Sequence, residues 1–155
     1  MVQAALREQG ILSPHVEVAA LATIKVETGA RFAPIREFRA DPTRMPKLWA
    51  TQERYWPSGY YGRGYIQLTW ERNYKAAGEA LGIDLLGQPD LALDPTQAAR
   101  IFAWYFRTMH IEKAANAQDW EKVRHLVNGG DTGMTHFKCA VVSLLTAMSG
   151  GSDVG

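Results

Sequence analysis

Residues 60–70 read Tyr60-Tyr61-Gly62-Arg63-Gly64-Tyr65-Ile66-Gln67-Leu68-Thr69-Trp70, aromatic rings interleaved with two glycines, an arginine and two hydrogen-bonding side chains. Glycines at 62 and 64 free the backbone to turn or to lie close to a ligand. The rings offer flat faces to an apolar surface such as a sugar ring, and Gln67 and Thr69 supply donors and acceptors. Alternate residues of an extended segment share a face, so Tyr65, Gln67 and Thr69 are expected to point together as the floor of a polar groove. A tyrosine-rich strand packed on a core is the plainer reading of the same residues.

Outward from this run, residues 30 to 66 hold Pro34, Pro42, Pro46, Pro57 and Gly59, which predicts loops with at most short strands. A long irregular stretch inside a compact domain is usually functional. Helices flank it. Ser13 and Pro14 fit the cap and first position of a helix to about Thr28, stopped by Gly29. Its apolar residues nearly surround it, so it is expected to be central and buried. Trp70 to Leu81 with Gly82 behind it reads as a helix, and Asp94-Pro95-Thr96-Gln97 resembles a capping box opening another. A short helix is predicted from Asp119 to about Val127. The last is predicted from about Thr135 to Met148, with Phe137, Val141, Leu144, Leu145 and Met148 turned inward.

The chain of 155 residues suits a single domain over 1–155. Its 46% apolar and 21% charged content is ordinary for a soluble globular protein, and no apolar run approaches the roughly 20 residues that span a bilayer. The charged N-terminus carries no classical export signal, and a monomer is expected. Cys139 is the one cysteine; among Ala140, Val141 and Val142 it reads as a small buried hydrophobe. Net charge is +1, yet residues 31–75 hold nine basic side chains against four acidic, together with Trp49, Tyr55, Trp56 and the tyrosines of the 60–70 run. That mixture suggests a face for an anionic polymer, or arginines solvated on a loop.

Carboxylates are the first candidates for chemistry. Glu27 lies at the end of the most apolar helix, where a charge needs a partner or a task. Glu37 follows ten residues on. If the chain turns back after Gly29, the two carboxyls can face one another at the roughly 6.5–9.5 Å that leaves room for a water between acid and base. The plainer reading pairs Glu27 with Lys25 or Arg31, and Glu37 with Arg36 or Arg39.

Glu27-Thr28-Gly29, then Tyr61-Gly62-Arg63-Gly64-Tyr65-Ile66-Gln67-Leu68-Thr69 with Asn73-Tyr74, then Val127-Asn128-Gly129-Gly130, resemble in order the motifs of glycoside hydrolase family 19. That family holds chitinases and related phage endolysins of the lysozyme-like superfamily, and the resemblance extends from about Ile11 to Leu145. It implies a mainly α, lysozyme-like two-lobed helical domain with a substrate cleft and at most a short β element. It also implies that Glu27 is the general acid, Glu37 the general base and Thr69 the hydroxyl that holds the attacking water. Tyr61, Arg63 and Tyr65 are expected to bind substrate, and Gln67 and Asn128 would bind sugar or order the site. Two departures stand out: Val26 replaces the histidine that usually precedes the acid, and the second glutamate comes one residue late. Glu53 is therefore a rival base.

Other chemistries find no pattern. His15, His110, His125 and His136 lack metal-ligand spacing, as does His136 with Cys139, so no metal and no cofactor is expected. No Gly-x-Ser-x-Gly elbow or phosphate loop occurs. The expected activity is inverting hydrolysis of β-1,4 links in bacterial peptidoglycan, with Glu27 protonated at the end of its apolar helix. On this reading the enzyme is made in the host cytoplasm and acts at the wall. Alternatives are a chitinase, a single-stranded nucleic-acid groove, or a wall-binding module without catalysis; neither a nucleic-acid partner nor membrane insertion is expected.

Overall fold

A computed structural model describes residues 1–150. Among these residues are eight α-helices and one two-stranded antiparallel ladder, so the protein is mainly α with a minimal β element. No helix among them is long and apolar enough to cross a membrane. The chain divides into two compact units, one of residues 1–32 with the chain from 103 onward, the other of residues 33–102.

In the first unit α1 (Val2–Glu8) precedes α2 (Pro14–Glu27). The Ser13 hydroxyl accepts from the Val16 amide at 3.2 Å and Pro14 occupies the first turn, as the sequence predicted. Val16, Val18, Ala19, Ala20, Ala22 and Ile24 are buried, which makes α2 the central helix. It packs against α6 (Ile111–Asn116), α7 (Trp120–Asn128) and α8 (Met134–Gly150). The helix stops where Gly29 takes φ +58°. On α8 the inward residues are Phe137, Ala140 and Val141, whereas Leu144 and Leu145 are half-buried and Met148 is 44% exposed. Cys139 is exposed rather than buried: it stands between the inward positions 137 and 140–141, on the face α8 turns to solvent.

The second unit holds β1 (Ile35–Arg36), α3 (Pro46–Gln52), β2 (Arg63–Gly64), α4 (Glu71–Leu81) and the first half of α5 (Pro95–Thr108). Asp94 caps α5 by accepting from the amides of Thr96 and Gln97 at 3.0 and 2.9 Å. The return half of the predicted capping box does not form: the Asp94 amide donates to the Leu91 carbonyl at 3.1 Å, and the Gln97 amide oxygen accepts from Arg100. Arg100 also donates to the Leu81 carbonyl at 3.0 Å, closing the C-terminal end of α4. The region expected to be loops contains α3, whose Gln52 is its buried residue.

Candidate active site

Strands β1 and β2 pair with Ile35 opposite Gly64 and Arg36 opposite Arg63. Continuing that register sets Glu37 against Gly62, and the Glu37 amide donates to the Gly62 carbonyl at 2.8 Å. The Gly62 amide returns a bond to Glu37 Oε2 at 2.9 Å. A Cβ at Gly62 would stand 2.8 Å from Gln67 Oε1 and 3.1 Å from Glu37 Oε2, so a side chain there would push these two groups aside. Glu37 Oε1 accepts from Gln52 Nε2 at 2.9 Å and from the Tyr55 hydroxyl at 2.7 Å. Burial pushes the Tyr55 hydroxyl up, and its hydrogen bond to the Glu37 carboxylate adds to the shift. Glu37 is thus held by three donors, and no ion pair to Arg36 or Arg39 forms.

The rival Glu53 is otherwise engaged. It pairs with Arg39, whose guanidinium lies 3.7 Å from the Trp49 ring centroid and 5.0 Å from that of Trp56.

The 60–70 run is not an extended strand. After β2 the chain turns over Tyr65, Ile66 and Gln67, with Gln67 at φ +52°, and Leu68 bridges back to Arg63. Period-two alternation is lost, so the shared face of Tyr65, Gln67 and Thr69 does not form. Tyr65 is buried in the unit's core, where burial raises its hydroxyl pKa. Gln67 Nε2 donates to the carbonyls of Ile35 and Gly64, both at 3.1 Å, which ties the turn to β1. The Thr69 hydroxyl donates to the Gln67 carbonyl at 2.8 Å. Trp70 follows at φ +75°, a conformation bulky side chains rarely take and one that clusters at functional sites.

Arg63 also lies inside, its side chain 4% exposed. It donates to Asp90 at 2.7 Å, to the carbonyls of Gly59 and Tyr61, and to the Tyr74 hydroxyl. Its donors are spent inside the unit, which they bind together. Tyr74 is pushed up to about 12, chiefly by burial. Desolvation raises the Asp90 carboxyl pKa, but hydrogen bonds from Arg36 and Arg63 outweigh it and leave the value below the ordinary range. Tyr61 is half-buried, stacked on Trp56 at 4.2 Å, and its hydroxyl accepts from Arg36.

In the first unit the partner of Glu27 is neither Lys25 nor Arg31. Arg124 Nη1 donates to Glu27 Oε1 at 2.5 Å, with the two side chains 4% and 19% exposed. The expectation of an apolar surrounding for this carboxyl is therefore not met. Arg124 uses Nε and Nη2 on the Thr132 carbonyl at 2.9 and 2.8 Å, and Asn128 donates to the same carbonyl at 2.7 Å. Asn128, the last residue of α7, thus fastens the 129–133 loop that Arg124 links to Glu27. Burial and the Glu27 charge raise the Tyr105 hydroxyl pKa. Gln52, Tyr55 and Arg124 are marked by no sequence motif; for Arg124 the local signal is a charge beside Val123 on an inward helix face. Among the described residues, no group of three or more His, Cys, Asp and Glu gathers as metal ligands would.

Residues 30–121 match the profile of glycoside hydrolase family 19, described as "Chitinase class I". The chain belongs to that family. The family 19 match contains Glu37, Arg63, Gln67 and Thr69, while Glu27, Arg124 and Asn128 fall outside it. Chitinase C from Streptomyces griseus HUT6037 superimposes with a TM-score of 0.65 at 28% identity, over 86% of this chain and 59% of that one. A second bacterial family 19 chitinase gives 0.56 at 26% identity, over 84% and 74%. Rice (Oryza sativa subsp. japonica) chitinase 11 is 51% identical over 55 residues, 35% of this chain and 22% of the relative. An "Inactive chitinase-like protein 1" from Hevea brasiliensis is 38% identical over 76 residues, 46% of this chain and 24% of the relative. The chain spans about a fifth of the length of such curated relatives.

Proposed function

We propose that this family 19 chain hydrolyses β-1,4 links between N-acetylated hexosamines by single displacement with inversion. The observation that carries the reading is the Glu37 carboxylate, held by Gln52, Tyr55 and the Gly62 amide beside the motif turn. Three donors fix the orientation of the carboxylate, which a general base for water requires. In the proposed reaction Glu37 takes a proton from water as the water oxygen bonds to C1. The C1–O4 electron pair leaves with the departing oxygen, which takes a proton from a general acid, the role that the family resemblance gives to Glu27. Arg124 holds Glu27, and Thr69 and Gln67 order the turn next to Glu37. Glu53, paired with Arg39, is the weaker candidate for base.

Chitin is the substrate we favour. The similar proteins are named chitinases, and the charge argument for an anionic polymer weakens once the fold is known. Residues 33–102 fold as one unit, and over that unit nine basic side chains meet eight acidic ones. Arg36 and Arg63 both pair with Asp90, which lies beyond the 31–75 window. A peptidoglycan hydrolase is the second reading, favoured by the exposed Arg44 and Lys47 next to and on α3. Colloidal chitin and purified peptidoglycan digested in parallel, with mass spectrometry of the new reducing ends, separate the two. Chito-oligosaccharides support the first reading and muramic acid ends the second; no cleavage of either overturns the proposed activity.

A further inference from the structure

Gln52 is completely buried, yet nothing in the sequence motifs points to it. Its amide oxygen accepts from the Ala40 amide at 2.7 Å, while its nitrogen donates to the Phe38 carbonyl at 2.8 Å and to Glu37 Oε1 at 2.9 Å. An N–H on one side and a carbonyl on the other fix which end of the amide is which. Tyr55 donates to the same Glu37 oxygen.

A carboxylate oxygen has two in-plane lone pairs. Oε1 of Glu37 has both occupied, by Gln52 and Tyr55, whereas Oε2 has one occupied, by the Gly62 amide. We infer that Gln52 is a positioning residue which, with Tyr55, saturates Oε1 and leaves Oε2 of Glu37 as the atom that accepts the proton of the attacking water. The water O–H bond breaks, Oε2–H forms, and the oxygen's electron pair goes to the sugar carbon. This inference rests on Glu37 being the base.

The charged and titratable groups around Glu37 are Tyr55, Arg39 with its partner Glu53, and, on the strands, Arg36 and Arg63, both engaged by Asp90. None of the arginines donates to Glu37, so the loss of a donor to Oε1 is read on the Glu37 carboxyl itself.

The test is a carbon-13 NMR titration of the Glu37 carboxyl in the folded wild type, Gln52→Glu and Tyr55→Phe, alongside pH profiles of kcat/KM on the N-acetylglucosamine hexamer. Gln52→Glu sets a second carboxyl against Oε1, and the Glu37 midpoint should rise by about one pH unit or more. Tyr55→Phe removes one donor and should raise it by about half a unit to one unit. The acidic limb of kcat/KM should move with the midpoint. If Gln52→Glu does not fold, Tyr55→Phe reads the same oxygen. Unmoved midpoints in folded variants, with rates lowered equally at all pH values, would make Gln52 merely structural and overturn the inference. Glu37→Gln is assayed beside them: full activity there defeats the base assignment, whatever the titrations show.

Discussion

At Glu37 the chain concentrates three hydrogen bonds on one carboxylate, one of them from a glycine whose missing side chain leaves room for Glu37 and Gln67. Glu37→Gln should therefore lower chitin-oligomer turnover by about 10²- to 10⁴-fold, the cost of losing a general base, while Glu53→Gln stays within a few-fold of wild type. The reverse pattern in steady-state assays would transfer the role to Glu53. Gly62→Ala drives a methyl into Glu37 and Gln67, and a misplacement approaching 1 Å should cost about 10²-fold in rate. Tyr74 carries a pH prediction. Its folded pKa, about 12, lies above the ordinary tyrosine value, so the unfolded chain loses this proton first as pH rises. Stability from Tyr74 is then complete below about pH 10 and is lost as pH rises toward 12. Urea titrations across that window should show a steeper alkaline loss in wild type than in Tyr74→Phe.

Among the elements, α2 and α5 are set by caps whose removal is separable from chemistry. Ser13→Ala and Asp94→Ala should each cost about 1 kcal/mol, read by thermal melts, with kcat unchanged. The same capping chemistry made α2, α4, α5 and α7 legible in the sequence, since Ser13, Gly82, Asp94 and Asp119 are start and stop signals that act locally. Short elements without such signals were not legible. Met45 opens α3 with no side-chain cap, and the helix buries Gln52 while most of its surface stays exposed, so no apolar stripe marks it. His110 opens α6 in the left-handed region, again without a cap. Strands of two residues are too short to show alternation, and alternation misled at Tyr65–Thr69 because Gln67 takes a left-handed turn. The motif residues were legible through resemblance, whereas Gln52 and Tyr55 reach Glu37, and Arg124 reaches Glu27, by tertiary contact, 15, 18 and 97 residues from their partners.

Over the whole molecule, stability and chemistry meet in two groups of contacts, one within each compact unit. In the first, Arg124 is nearly buried and joins Glu27 to the Thr132 carbonyl. Arg124→Gln should destabilise the protein by about 1–3 kcal/mol, because the Thr132 carbonyl and the half-buried Glu27 lose a buried donor, and urea midpoints will show it. In the second, Arg63 joins Gly59, Tyr61, Tyr74 and Asp90 behind the turn that carries Gln67 and Thr69. The proposed reaction is a one-step displacement in which Glu37 activates the water and no covalent intermediate forms. Time-resolved proton NMR of the N-acetylglucosamine hexamer during hydrolysis tests that claim directly. α-Anomeric reducing ends are the expected first product, relaxing later to the equilibrium mixture. β-Anomeric ends at the earliest times, or an intact hexamer, would contradict it.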